Sequence, residues 1–557
     1  MINIPVELKA QVNFSVTILG RAIKNLYGDT TFNLIESIRK ELVGMHNVDT
    51  DKQFNILFKI NTQLKKVTKK ELPTIAHAYL TMLELINRCE AAHRIFKLNN
   101  APKKAKELIT KLDQEIIYVL TSHPTEAKSP KFLESFEKIQ KILVKLYDVS
   151  ENKKILELEL YHLLYLALSI PAAKNRAPKV EDEANMIYSF LLNPKLLDKI
   201  LASDLPIFFR TWVGGDKDGH PGVDHRTLKE SLTLSRNYLI HYVNLNLTKL
   251  LTDSKLLNAP KIVACKKNFK ELLTQLNQLK RVLPQDYIKV EKFKKSFLSS
   301  SNRWHQEFGE KNFNLVNIEK LFQLYPQLVV PIEVREDSEF VKESLTSRKT
   351  FAIVKMLQFI KSIASFNTCK SYVRGFILSM VETEEDLFNG AKLTKKIFGS
   401  LWLPVVPLFE NRKALENCEK IIKTYLTKET VQHHQKYWNS NFEIMLGYSD
   451  SSKECGVFPS RVLIYEAMRS LDLLLRGKNL HPVFFHGSGG SVTVEEPLMN
   501  GQHHGLSSLR IVKTTIQGEI KFALENFSDE ITIFSKQNLN RNIKILIEQR
   551  AYMKFQL

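Results

Sequence analysis

Six short apolar runs, each finishing in a polar or glycine-rich cluster, constrain the fold of this chain more than any other feature. The first, Ile116 to Leu120, leads into Thr121-Ser122-His123-Pro124-Thr125-Glu126. The others end in Gly214-Gly215-Asp216-Lys217-Asp218-Gly219, Glu333-Val334-Arg335, Leu408-Phe409-Glu410, Tyr448-Ser449-Asp450-Ser451-Ser452-Lys453 and His486-Gly487-Ser488-Gly489-Gly490. Buried strands that each end in a chemically active side chain suit a parallel barrel, because its site gathers at the strand ends.

Between these runs the apolar residues recur at helical spacing. Phe32, Ile35, Ile38 and Leu42 follow Asp29-Thr30, an N-cap signal; Leu80, Leu83, Ile86 and Cys89 repeat the pattern, as do Phe269, Leu272, Leu276 and Leu279. Seven strands are predicted: Ile116–Thr121, Ile207–Val213, Leu328–Val334, Leu403–Phe409, Phe442–Gly447, Val483–His486 and Leu509–Val512. Strands alternating with helices indicate an α/β fold. The expectation is a TIM-type barrel with seven recognisable strands, incomplete unless something supplies an eighth, embedded in many additional helices. Its divisions are a helical region over 1–115, the barrel with helical insertions over 116–515, and a short tail over 516–557.

The composition is compatible with a large core, at 44% hydrophobic. Five scattered cysteines (Cys89, Cys265, Cys369, Cys418 and Cys455) form no CxxC pair and read as reduced thiols. The N-terminus shows no signal-peptide pattern, and Leu163 to Ile170 is too short to cross a bilayer, so a cytoplasmic protein without membrane contact is expected. Eighty basic against 60 acidic side chains give a charge of +20, which favours anionic partners. The lysines are interspersed with acids and no recognition motif accompanies them, so phosphorylated metabolites are expected rather than nucleic acid.

Several residues carry chemistry in this pattern. His123, held out of helical geometry by Pro124, can accept a proton near neutral pH. Glu410 and Asp450 end successive predicted strands, and two carboxylates with open positions suit magnesium or manganese. Lys453, three residues past Asp450, can hold phosphate or a developing enolate; the fork of Arg335 matches phosphate or carboxylate. Taken singly, each has a plainer reading as a structural histidine, helix cap or surface ion pair.

Taken in order, the six motifs resemble those of the phosphoenolpyruvate carboxylase family, over roughly Leu19 to Glu519. The resemblance implies a lyase of carbon dioxide fixation. It would form oxaloacetate and phosphate from phosphoenolpyruvate and bicarbonate, feeding the tricarboxylic acid cycle. It assigns His123, Lys453 and Arg335 to catalysis, Glu410 and Asp450 to Mg2+ (or Mn2+), and Arg335, Lys453, His486, Gly489 and Gly490 to substrate. The chain departs from the pattern at Lys217, where the family has arginine, at Asn411 and at Glu454-Cys455. In the glycine-rich loop Ser488 and Val494 stand in place of two arginines, followed by Glu495-Glu496. Losing two guanidinium groups weakens attraction for anions, with Lys513, Arg510 and Lys217 as candidate replacements.

The family continues well beyond the segment matching Gln517-Gly518-Glu519, and Ile531–Phe534 is only a makeshift strand. An incomplete barrel is therefore expected, with three readings: the tail improvises closure, a separate chain completes it, or the gene product is degraded or truncated; a homo-oligomer is a further expected partner. The alternative function is a weakened or inactive relative that binds an anionic metabolite or a partner protein.

Overall fold

The computed structural model describes residues 4–45, 48–99, 115–121, 129–148, 150–172, 179–202, 207–487 and 511–517. Eight strands form a closed, all-parallel barrel in chain order. They are β1 Glu115–Thr121, β2 Ile207–Thr211, β3 Ile332–Asp337, β4 Val373–Ser379, β5 Val405–Phe409, β6 Asn441–Gly447, β7 His481–Gly487 and β8 Ile511–Gln517. The TIM-type barrel among many helices is as expected; the opening is not. β8 pairs with β1 from Glu115↔Ile511 to Thr121↔Gln517 and with β7 at Phe485↔Lys513, so strand closure requires no second chain.

The strand missed in the sequence is β4. Arg374-Gly375 interrupts its apolar run, and the barrel interior explains the glycine. A β-carbon on Gly375 would lie 3.1 Å from Val406 and 3.5 Å from the Glu333 carboxylate. The run expected as Leu328–Val334 begins later, at Ile332, because Leu328 has a left-handed backbone (φ 51°) and Pro331 precedes the strand. The run expected as Leu509–Val512 is the start of β8. Ile531–Phe534 lies outside the described residues.

Alternation along the strands sends every second side chain inward. Ile117, Val119, Ile377, Val406, Leu408, Met445, Val483, Phe485 and Ile511 form the apolar interior together with Trp212, just past β2. Toward the N-terminal end of the barrel, charges replace these apolar groups. Lys513 Nζ lies 2.7 Å from both Glu333 and Glu443. Arg210 Nη1 reaches the same two carboxylates at 2.9 and 3.3 Å. Against burial, which works the other way, Lys513, Arg210 and the buried Arg374 guanidinium together hold Glu443 below the ordinary carboxylate range. Phe485 covers the cluster, its ring centroid 4.1 Å from the Lys513 ammonium, and Trp212 stacks on Phe485 at 5.4 Å.

Outside the barrel, the helices His225–Asp253, Pro260–Gln278, Asp286–Phe308 and Phe313–Leu324 fill the expected insertion before β3. Phe269, Leu272, Leu276 and Leu279 are buried there as the spacing predicts. Arg236, fully buried, anchors this layer through a bidentate pair with Asp286 at 2.8 and 2.7 Å. A separate core joins N-terminal helices, from Ile18 to Ala172. The helix Val6–Gly44 breaks at Gly28 (φ 83°), one residue before the predicted Asp29-Thr30 cap. In the helix Leu72–Asn99 the buried face runs through Ala78, Leu85, Cys89 and Ala92, while Leu80 and Leu83 are exposed. Small residues let the neighbouring helices approach on a face that hydropathy alone does not mark.

Candidate active site

The C-terminal ends of the strands form a mouth above the Trp212–Phe485 stack. After β2 the glycines bring the loop down onto β3. A β-carbon on Gly215 would overlap the Glu333 carbonyl, so only glycine admits this approach. The Gly215 carbonyl accepts from Arg335 N, and Lys217 N donates to the Arg335 carbonyl, both at 3.0 Å. Asp216 then meets the Arg335 side chain through Nε at 2.6 Å and Nη2 at 3.1 Å, with Asp218 at 3.7 Å. The guanidinium lies 5.6 Å from the Trp212 ring centroid. Burial disfavours its charge, but Asp216 and Asp218 outweigh that and raise its pKa.

Glu410 follows β5 directly. Its Oε1 accepts from Met380 N at 2.9 Å. Burial raises its pKa, Met380 N–H and Arg335 oppose the rise, and Asp450 and Asp218 add to it. Those influences show that the acids and Arg335 share one electrostatic environment. Gly447, ending β6, permits the close approach: a β-carbon there would overlap Glu410 Cβ and lie 2.8 Å from its Cα.

Asp450 and Lys453 lie on the short helix Ser449–Cys455 beyond β6, paired at 2.8 Å and both largely exposed. Such a pair contributes little to stability and exchanges readily. His486 on β7 is buried, and its Nδ1 is 2.7 Å from the Tyr448 hydroxyl. Burial lowers its pKa to about 4, so it is neutral near pH 7. Arg461 lies 4.4 Å over the Tyr448 ring. His486 therefore supports the residue that opens the Asp450 helix.

Arg335, Glu410, Asp450 and Lys453 are thus gathered at one end of the barrel. His123, Gly489 and Gly490 lie outside the described residues, as do Ser488, Val494 and Arg510. Of the proposed replacement cations, Lys513 is committed to the interior ion cluster, and Lys217 directs its ammonium to the Pro221 carbonyl at 3.2 Å. Sequence reading missed Glu336, buried beside Arg335 in sequence, whose pKa is raised to about 7 by burial, with Asp218 and Asp337 contributing. Strand alternation could have found it: Arg335 faces the mouth, so its neighbour must turn away into the helix layer.

Among the described residues no group of three or more histidine, cysteine, aspartate or glutamate side chains is arranged to hold a metal. The donor set at the mouth is two carboxylates. That fits a hard divalent cation completing its shell with water and substrate oxygens, and does not fit a closed zinc-type cage. No helix among the described residues is long and apolar enough to cross a membrane.

A closed parallel barrel with acids and cations at its C-terminal mouth defines an α/β-barrel protein whose site is built from strand-end residues. The phosphoenolpyruvate carboxylase family model matches residues 94–297 and 328–532, and the chain belongs to that family. It is 22% identical over 582 residues to phosphoenolpyruvate carboxylase of Tolumonas auensis, and 24% identical over 593 residues to that of Vibrio atlanticus. The enzyme of Enterobacter sp. is 22% identical over 589 residues. Each alignment covers 87% of this chain and 66% of the relative, so the chain spans just under two thirds of their length.

Proposed function

We propose that the chain binds phosphoenolpyruvate together with magnesium or manganese and carboxylates it with bicarbonate, giving oxaloacetate and phosphate in the cytoplasm. What supports this reading is that Arg335, Glu410 and Asp450 lie at or just beyond the C-terminal ends of β3, β5 and β6, with Gly447 letting β6 pack against Glu410. Glu410 and Asp450 would hold the cation, which would supply positive charge against the developing enolate oxygen. Arg335, kept charged and oriented by Asp216, offers its remaining N–H groups to phosphate or carboxylate. When the cation takes Asp450, Lys453 is released to an anionic substrate group. Trp212 and Phe485 exclude water from the floor. The proton role of His123 rests on the family motif.

A second reading is favoured by the same mouth: an anion-binding relative with little turnover. Arg335 and Lys453 are each already paired with an aspartate, and Ser488 and Val494 stand where the family carries arginines.

Titration calorimetry separates these readings from a non-functional mouth. Both expect magnesium to bind more tightly with phosphoenolpyruvate present, and that coupling to vanish in Glu410→Ala/Asp450→Ala. Metal binding unchanged in the double variant removes the site. Oxaloacetate formation by protein free of host carboxylase, lost in His123→Asn with phosphoenolpyruvate binding intact, selects the carboxylase. Binding without oxaloacetate selects the second reading.

A further inference from the structure

We propose that the helix Thr50–Lys65 is a docking face for an anionic lipid surface. This inference is independent of the barrel site. The helix starts at Asp49, whose side chain accepts from Lys52 N at 3.0 Å. It buries only Ile60 fully, and its polar ties run along one edge. Gln53 donates to the Met45 and Val48 carbonyls at 3.1 Å, Gln63 donates to Glu41 at 3.3 Å, and Lys59 pairs with Glu41 at 2.8 Å.

Another face carries Phe54, Leu57 and Phe58, which are 66%, 45% and 72% exposed. Their i, i+3, i+4 spacing forms one apolar stripe. Two phenylalanines this exposed lose favourable burial unless something covers them. Charge supplies the identity of the cover. Lys52 and Lys59 are paired with Asp49 and Glu41, but Lys65, Lys66, Lys69 and Lys70 are exposed and pair with no carboxylate among the described residues. Lys65 falls on the helical wheel between Phe54 and Phe58, so the basic end continues the apolar stripe. A helix with an apolar stripe and unpaired ammonium groups lies in the headgroup region of an anionic bilayer, the rings in the acyl boundary and the lysines among the phosphates. An acidic protein groove would satisfy the lysines, but a stripe of little more than one turn with both rings standing out matches a planar surface better.

Co-sedimentation of the full chain with phosphatidylcholine vesicles, with and without phosphatidylserine, tests this. Wild type should partition at least about tenfold more strongly onto the phosphatidylserine vesicles, weakening with salt. Phe54→Ser/Phe58→Ser and Lys65→Gln/Lys66→Gln/Lys69→Gln/Lys70→Gln should each lose about tenfold or more. All these positions are exposed, so both variants should keep the wild-type circular dichroism and urea midpoint. Three results overturn the proposal. One is wild type that does not bind the phosphatidylserine vesicles. Another is binding unchanged in both variants, which assigns it to the general +20 surface. The third is self-association without vesicle binding, abolished by the phenylalanine pair, which makes the stripe a contact between copies.

Discussion

Glu336 and Glu410 are both carboxyls whose proton is held by burial, and each has a measurable consequence. For Glu336 the folded-state pKa is about 7 against an ordinary 4.5, with Asp218 and Asp337 raising it and Lys217 opposing. A raised carboxyl stabilises the fold fully below the ordinary value, and that contribution is lost as pH rises through about 7. At 1.36 kcal/mol per unit the effect is at most about 3 kcal/mol. Glu336→Gln should therefore be more stable than wild type at pH 8 and close to it at pH 4.5, measured by urea denaturation. A constant difference across that range would show that Glu336 ionises as if exposed. Glu410 is raised in the same direction, so at the proposed magnesium site protonation should compete with the cation at a higher pH than for an exposed carboxylate, visible as magnesium affinity falling while pH is lowered. At this scale the candidate side chains Arg335, Glu410, Asp450 and Lys453 could be picked out because they stand in motifs. What each one touches was not. The Asp216–Arg335 pair joins residues 119 positions apart, and the burial of His486 against Tyr448 depends on a neighbouring strand.

At the scale of elements, closeness of β5 and β6 depends on a missing β-carbon. Gly447→Ala would drive a methyl into Glu410 Cβ, with backbone nearby that cannot swing away. Overpacking of this kind costs about 1–3 kcal/mol. The expected result is a lowered urea midpoint together with weaker metal binding, whereas alanine at exposed Gly44, where a β-carbon meets nothing, should change neither. Metal affinity retained in Gly447→Ala would show that the strand ends tolerate separation. Strands with unbroken apolar runs, such as β5 and β7, could be read directly. β4 could not, because its Arg374-Gly375 step is dictated by carboxylates arriving from β3 and β6. The helix Leu72–Asn99 departs from its spacing for a related reason: alanines and Cys89 share its buried face with Leu85, while Leu80 and Leu83 face outward.

For the whole molecule, closure depends on what β8 contributes inside the barrel. Lys513 is fully buried and crosses the interior to carboxylates from β3 and β6, while Arg210 reaches both from β2. The cluster thus couples four strands, including the one that closes against β1. Lys513→Met keeps the length and apolar stem but takes from both carboxylates their 2.7 Å ammonium partner, leaving them to the guanidiniums of Arg210 and Arg374. Removing one member of a buried pair costs about 3–5 kcal/mol, because the partner left behind loses its direct ion pair while staying buried. Replacing both a cation and an anion avoids that, so Lys513→Met/Glu443→Met should recover part of the loss, leaving Arg210 and Arg374 with Glu333. Denaturant unfolding should show this non-additivity, and amide hydrogen exchange should locate it, with β8 and β1 losing protection first in Lys513→Met and regaining it in the double variant. Equal instability of the single and double variants would mean that Lys513 acts by filling space beneath Phe485, not by balancing charge. Loss of protection confined to β6 would mean that β8 is held by its β1 register alone.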